Sequence, residues 1–461
     1  MRHPPSIRVT TIFLATGAMV AALSGCGSED DAGGATELTI AVNAASGGKN
    51  AEEADWIENW VIPRFEEQQR TEGVEVNVTF EPSGVDDTQY KSRLALDLQS
   101  GSGPDVFQMD GIWVGEFAEA GYVAPLSETV PASADWEGWA QIPDTVKQLA
   151  TYNDELYGIP VGTDARVLYF NKTLFQEAGL PTDWQPTSWA DILDAAEALS
   201  ELDGVTPIQI NAGTTMGEAV TMQGVLPLLA GTGEEIYADG RWTGATAGLE
   251  QVLGLYQDIY GDGLGDSDLQ REAQGRDKSF QRFAAGEIGI LAEGDYFWRD
   301  VINPDTGIAP MADRDESVGW AMIPAVEPGQ GVRGQDFVSM SGGHVRTVNP
   351  ASDNAELAYE LLGFMNSPEA LTAAMESGVK ITARTDVNEQ LLADDPFLGW
   401  LAEEVLPLTS YRPALAVYPQ VSVLLQEATA AVIGGDDPAA AAAAYQEDLE
   451  EVVGGADHVT S

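Results

Sequence analysis

Between residues 38 and 109 the hydrophobic period changes four times, and this alternation restricts the fold more than any other feature of the chain. Leu38–Val42 (LTIAV) is a short apolar run. Trp56, Trp60 and Phe65 then recur at helical spacing among acids across 56–68. Val74, Val76, Val78 and Phe80 alternate strictly, the period of a strand with one buried face. Tyr90–Gln99 returns to helix, with Leu94 and Leu98 four apart and Gly101 as a stop. Asp105–Met109 is the next strand. Strand–helix–strand–helix–strand within about 70 residues predicts an α/β unit with a parallel sheet.

The rest of the chain is richer in helix. Ser188-Trp189-Ala190-Asp191 has the form of a capping box, in which the Ser188 oxygen accepts from the Asp191 backbone N–H and the Asp191 carboxylate reaches back. Behind it Ile192, Ala195, Ala196 and Leu199 line one face, and Gly204 lies just past the end. Further helices are expected after Pro350, after Pro368 and across 438–453. At 461 residues two lobes or domains are the prior.

Charge narrows the partners. The chain has 22 Lys and Arg against 74 Asp and Glu, a net charge of −52, with the acids spread along its length. Such a field repels phosphate backbones and anionic lipid surfaces, so nucleic acid is excluded as a partner class. Arg2 and Arg8 precede the apolar stretch Ile12–Leu23, which is too short for a membrane span of about 20 residues. A basic start before a short apolar region predicts an export signal over 1–25. It ends at Leu23-Ser24-Gly25-Cys26, and Cys26 is the only cysteine. The small, acidic, Gly-rich segment 26–36 reads as a flexible tether.

No G-x-S-x-G elbow, Walker loop or H-E-x-x-H occurs. Asp262, Asp266 and Asp268 (DGLGDSD) lack EF-hand spacing and read as a solvated turn, with Ca²⁺ left open. With 74 acids, paired carboxylates are not evidence for glycoside hydrolysis, nor do they exclude it. What recurs is an acid near aromatic or cationic side chains just after an apolar run: Asp110 with Trp113, Asp164 with Arg166, and Asp295 with Tyr296 and Trp298. In α/β sheets the ligand crevice lies at the carboxyl ends of strands. Aromatic faces and charged hydrogen-bonding groups together suit a neutral sugar. The alternative at each position is ordinary packing or helix capping.

LSGC resembles the lipobox of bacterial lipoproteins, which implies lipidation of Cys26 and anchoring to the outer face of the cell membrane. GPDVFQMDGIWVGEFAEAGYVAPLSE (103–128), LYGIPVGTDARVLYFNKTLFQEAGLP (156–181), FQRFAAGEIGILAEGDYFW (280–298) and YRPALAVYPQVSVLLQEA (411–428) resemble, in order, signature segments of the extracellular sugar-binding proteins of ABC transporters, the maltose-binding-protein-like family. The resemblance implies a type II periplasmic-binding-protein-like fold, with two α/β lobes joined by hinge strands around a central cleft. Crossings are expected near Gly158–Thr163, Asp336–Ser341 and Val379–Arg384. One discontinuous lobe would hold 37–159 plus 340–380, and the other 160–339 plus 381–456.

Carried over residue by residue, the resemblance makes Asp110 and Asp164 acceptors for sugar hydroxyls, with Trp113 and Arg166 beside them. Tyr296 falls where the family places a stacking Trp, with Trp298 two residues on. Gly342-Gly343 matches a turn in which His344 replaces a Trp, and Arg412 matches a hydroxyl donor. A Tyr at 296 and a His at 344 imply a smaller pocket or a more polar ligand than a maltodextrin. Asn43 and Ser46 follow the first strand and are expected at the cleft; Met216 and Glu218 open a helix of the second lobe. The implied protein is a monomeric binding subunit without catalysis, cofactor or metal. It takes an α-linked disaccharide or small oligosaccharide and passes it to a membrane permease. A lipoprotein glycosidase and a binder of another solute, such as a polyamine, are the rival expectations.

Overall fold

Thr36–Val42 lies beside two other parallel strands in a five-stranded sheet. The computed structural model describes residues 35–461 apart from 48, 49, 86 and 377. The export signal, Cys26 and nearly all of the tether therefore lie outside the described residues. Thr36, expected in the tether, already belongs to the first strand.

In the first sheet Thr36–Val42 pairs in parallel with Val76–Pro82 and Val106–Asp110, as the 38–109 pattern predicts. Val74 lies before the second strand and is exposed, so the alternating face begins at Val76. Two later strands close the sheet, His344–Val348 antiparallel to Val106–Asp110 and Ile159–Pro160 beside it. Leu38, Ile40, Val42 and Val106 pack with helix residues Ile57, Phe65 and Leu361. On the opposite face Ala41, Phe107, Met109 and Val345 pack with Tyr90, Leu94 and Trp113. The sheet is thus buried on both sides, as an α/β layer requires.

A second, mixed sheet is ordered Val318–Ala321, Arg166–Asn171, Ile288–Gly294, Thr206–Gln209. Arg166–Asn171 is antiparallel to both neighbours, while Ile288–Gly294 runs parallel to Thr206–Gln209. Leu168, Phe170, Ile208 and Ile290 face Ile192, Val252 and Leu425; Val167, Tyr169, Leu291 and Val318 face Phe283, Phe297 and Phe397. The helix Trp189–Ser200 starts with the expected capping box at Ser188. Pro438–Val453 is a helix capped by the Asp437 carboxylate. Among the described residues no helix is long and apolar enough to cross a membrane.

The chain passes between the sheets where glycine lets backbones touch. It leaves the first sheet after Pro160 and enters the second at Arg166; it returns from Phe337–Ser341 through Gly342-Gly343 to His344. Gly162 bridges Thr382 on a third pass, where Ile381 packs in a core of the second sheet and Ala383 in one of the first. Val161 donates to the His344 carbonyl at 2.9 Å and Thr163 to that of Ile381 at 3.3 Å. A β-carbon on Gly343 would lie 2.5 Å from the Gly162 carbonyl oxygen, and one on Gly162 would lie 2.7 Å from that of Ile381. Gly343 also has a φ of 150°. Gly162→Ala must push two passes apart, and we expect a loss of about 1–3 kcal/mol in urea unfolding, the usual cost of overpacking. An unchanged midpoint would show that the passes are not held this tightly.

Candidate functional site

A cleft of about 420 Å³ opens beside these passes, within the range of small-molecule sites. Its walls come from both sheets and from the hinge: Asp110 and Arg346 from the first, Arg166 from the second with Asp295 and Arg299 just past its strand Ile288–Gly294, Gly162, Gly343 and Ile381 from the passes, and Arg412 just after Thr409–Tyr411. A larger cavity of about 660 Å³ lies between 143–146 and 382–407, but it lacks such a convergence of charged groups.

Cations concentrate here. The whole chain has 22 Lys and Arg, yet Arg166, Arg299, Arg346, Lys380 and Arg412 all line this one cleft. Nearly all are matched by carboxylates. Arg166 pairs with Asp164, and its Nε donates to Gln223 at 2.9 Å. Arg299 pairs with Asp295 at 2.9 Å and Asp300 at 3.0 Å. Arg346 pairs with Glu53 at 2.6 Å. Arg412 lies between Glu218 at 3.1 Å and Asp110 at 3.5 Å. Matched in this way, the cleft offers strong donors and acceptors with little net charge, which suits a neutral, hydroxyl-rich ligand.

Burial and pairing shift these carboxyls in opposite directions. Burial pushes the Asp164 carboxyl up, but Arg166, the Gly342 N–H and Arg412 outweigh it and hold Asp164 below its usual value. Glu53 is likewise held low, with Arg346 and His344 overcoming its burial. Asp295 goes the other way: burial and the negative charge of Asp164 raise it despite Arg299. Three buried polar atoms of wall residues have no partner among the described residues, Asp295 Oδ1, Arg346 Nη1 and Arg412 Nε. Both acceptor and donor capacity is thus left unpaired, and a hydroxyl can serve as either.

Of the residues singled out from sequence, Asp110, Asp164, Arg166, Asp295, Gly342, Gly343, His344 and Arg412 line the cleft. Asp110 also caps the turn that follows, accepting from the Ile112 N–H at 3.1 Å. Glu218 stands behind Arg412, which donates to it along with Tyr418 and Ser422. The expected aromatic walls do not line the cleft. Trp113 packs against Tyr90 and Phe117 with Lys91 over its ring. Trp298 is 2% exposed among Trp320, Phe397 and Arg314, and its indole donates to Asp395. Tyr296 donates to Glu293 at 2.8 Å under the Arg276 guanidinium. All three sit where a core or an ion pair had more to gain from a large ring than the cleft did. Asn43 is tied to Val85 and Asp87, and Ser46 bonds Asp55 and Glu58; neither lines the cleft. Met216 packs against the second-sheet core. Asp266 accepts from the Asp268 and Leu269 N–H groups and pairs with Arg282 at 2.7 Å. No group of three or more potential metal ligands occurs among the described residues.

Sequence reading missed Glu53, Trp56, Arg299, Arg346 and Lys380. One signal was present: an arginine at the centre of HVRTV, a strand otherwise apolar enough to be buried.

Residues 50–372 match the family described as bacterial extracellular solute-binding protein. Binding proteins of Brucella abortus and Brucella suis are 25% identical over 235 residues, 50% of this chain and 54% of theirs, so the chain spans about half the length of these curated relatives. A maltooligosaccharide ABC transporter solute-binding lipoprotein of Streptococcus pneumoniae is 22% identical over 308 residues, 64% of this chain and 63% of that one. Among solved structures, an ABC transporter solute-binding protein of Thermotoga lettingae bound with α-D-tagatose is similar, with a TM-score of 0.66 and 25% identity over 91% of this chain and 100% of that one. The likeness shows a two-lobed α/β, type II periplasmic-binding-protein-like fold.

Proposed function

Because the chain belongs to the bacterial extracellular solute-binding protein family, we propose that it is the binding subunit of an ABC importer for a carbohydrate. The observation that carries this is the charge-matched cleft between the two sheets, whose wall residues keep buried, unpaired donors and acceptors. An α-linked disaccharide or small oligosaccharide is the proposed cargo. The maltooligosaccharide and tagatose ligands of the relatives support the sugar class.

The mechanism is hinge closure. Sugar bridges the walls, the passes at Gly162, Gly343 and Ile381 flex, and the closed form is presented to the permease. The ligand shifts the population by as much as it prefers the closed state. The two lobes divide near the passes, as 37–159 plus 340–380 and 160–339 plus 381–456. Lipidation of Cys26 would hold a monomer at the outer face of the membrane.

Thermal shift and calorimetry with maltose, trehalose, D-tagatose and spermidine test the ligand class. We expect a sugar, not the amine, to raise the melting temperature at millimolar concentration; a response to spermidine alone would overturn the carbohydrate reading. The opposed shifts of Asp164 and Asp295 are also how a hydrolase tunes an acid and a base. Incubation with α-glucosides is expected to release no glucose, and steady turnover would replace the transport reading with a glycosidase. For the best ligand, Asp164→Ala is expected to weaken binding at least about tenfold, the loss of a charged hydrogen bond. An unchanged dissociation constant would remove Asp164 from the site.

A further inference from the structure

Arg346 occupies a strand whose residues Val345 and Val348 are fully or almost fully buried, and it is itself 2% exposed. Its Nη2 donates to Glu53 at 2.6 Å and its Nε to Gln108 at 3.0 Å. The guanidinium carbon lies 5.1 Å from the centre of the Trp56 ring. Its Nη1 has no partner among the described residues. A strut tying the first helix to the sheet needs only Nε and Nη2. It accounts neither for the open Nη1 nor for the position of Arg346, Glu53, Gln108 and Trp56 together on the cleft wall.

An ion-paired carboxylate beside a buried, unpartnered guanidinium N–H offers an acceptor next to a donor. Two adjacent hydroxyls on a sugar carry the complementary pattern, since each both donates and accepts. Trp56 is 7% exposed and adds a narrow apolar edge of the kind a sugar's C–H groups contact. Its indole N–H is already committed to the Ala370 carbonyl at 3.0 Å, so it contributes surface rather than a hydrogen bond. We propose that Glu53, Arg346 and Trp56 form a subsite that reads one vicinal diol of the carbohydrate. This rests on the carbohydrate reading above.

The test pairs variants with deoxygenated ligands. The probes are maltose, trehalose and D-tagatose, then the monodeoxy forms of whichever binds most tightly to the wild type. Arg346→Met keeps the stem and removes the donors. We expect it to weaken the parent sugar at least about tenfold. Removing one of the two read hydroxyls is expected to weaken the wild type by a similar factor but Arg346→Met by less than about threefold, because the partner is already gone. If every deoxy form weakens both proteins by the same factor, Arg346 is a strut, and the subsite is overturned while carbohydrate binding stands. If the wild type binds none of the three sugars, the carbohydrate reading fails and the subsite with it. Should Arg346→Met not unfold cooperatively, Glu53→Gln takes its place in the same comparison, with the same outcomes.

Discussion

Glu293→Ala is expected to destabilise the protein by about 3–5 kcal/mol, the cost of stranding one partner of a buried ion pair. Glu293 is completely buried near the end of Ile288–Gly294. It accepts from Arg276 Nε at 2.9 Å and Nη2 at 2.8 Å, from Asn211 at 2.9 Å and from Tyr296 at 2.8 Å. Its removal orphans these four side-chain donors, two of them on one charged guanidinium, and also the Gly294 N–H that reaches it at 3.3 Å. Burial alone would raise the Glu293 carboxyl, yet Arg276, Asn211 and Tyr296 hold it below its ordinary value. A carboxyl lowered on folding contributes stability that is complete above its unfolded value, about 4.3, and is lost as pH falls through the folded value. The gap between wild type and Glu293→Gln should therefore be full at pH 7 and close as the solution is acidified below about pH 4. Urea unfolding at several pH values measures it. A gap that stays constant into acid would mean that the ion pair is not what stabilises this strand end.

The fold was legible where local signals and burial agree. The switch from period two to helical spacing located the first three strands because each is bounded by a helix with its own apolar stripe. The Ser188 box and the 438–453 helix were legible because their caps are covalently local. The strand pairings that join 106–110 to 344–348 and 166–171 to 288–294 and 318–321 were not legible from period. They depend on contacts more than a hundred residues apart, and no local pattern encodes them.

The candidate site divides along the same line. Asp110 ends a strand, so the rule that places ligand crevices at the carboxyl ends of strands brought it to the cleft; His344 begins an antiparallel strand opposite Asp110 and was legible only through the family resemblance. The rule cannot rank aromatic residues, because a tryptophan one turn past a strand end suits a core as well as a sugar. Trp113 and Trp298 took the core, while Trp56, also part of a core on a helix's apolar face, keeps an edge on the cleft wall. Arg299 was hidden for another reason. It follows Asp295 by four residues, the spacing of an ordinary surface pair, and only burial of Asp295 turns that pair into part of a wall.

Arg412→Ala is expected to weaken the best carbohydrate at least about tenfold, since it removes a charged donor from the cleft wall, a contact of about 1.5–3 kcal/mol. Arg412 follows Thr409–Tyr411, a strand paired with Phe337–Ser341 at the hinge. Its guanidinium approaches Asp110 at the end of a first-sheet strand and Glu218 at the start of a helix packed on the second sheet. One cation thus holds a carboxylate from each side of the cleft, and it also lies above the Gly342 pass, 3.4 Å from where a β-carbon would stand. Alanine leaves the two carboxylates without the cation that lies between them. Lysine restores the charge but not the fork that reaches both partners, so Arg412→Lys should recover only part of the affinity. Calorimetry on the three proteins separates the roles when read beside their urea midpoints. If Arg412→Ala lowers the midpoint but binds sugar as tightly as wild type, the guanidinium is a hinge brace. If Lys restores binding fully, point charge rather than geometry is what the cleft requires. The open Nε and the shared carboxylates lead us to expect neither.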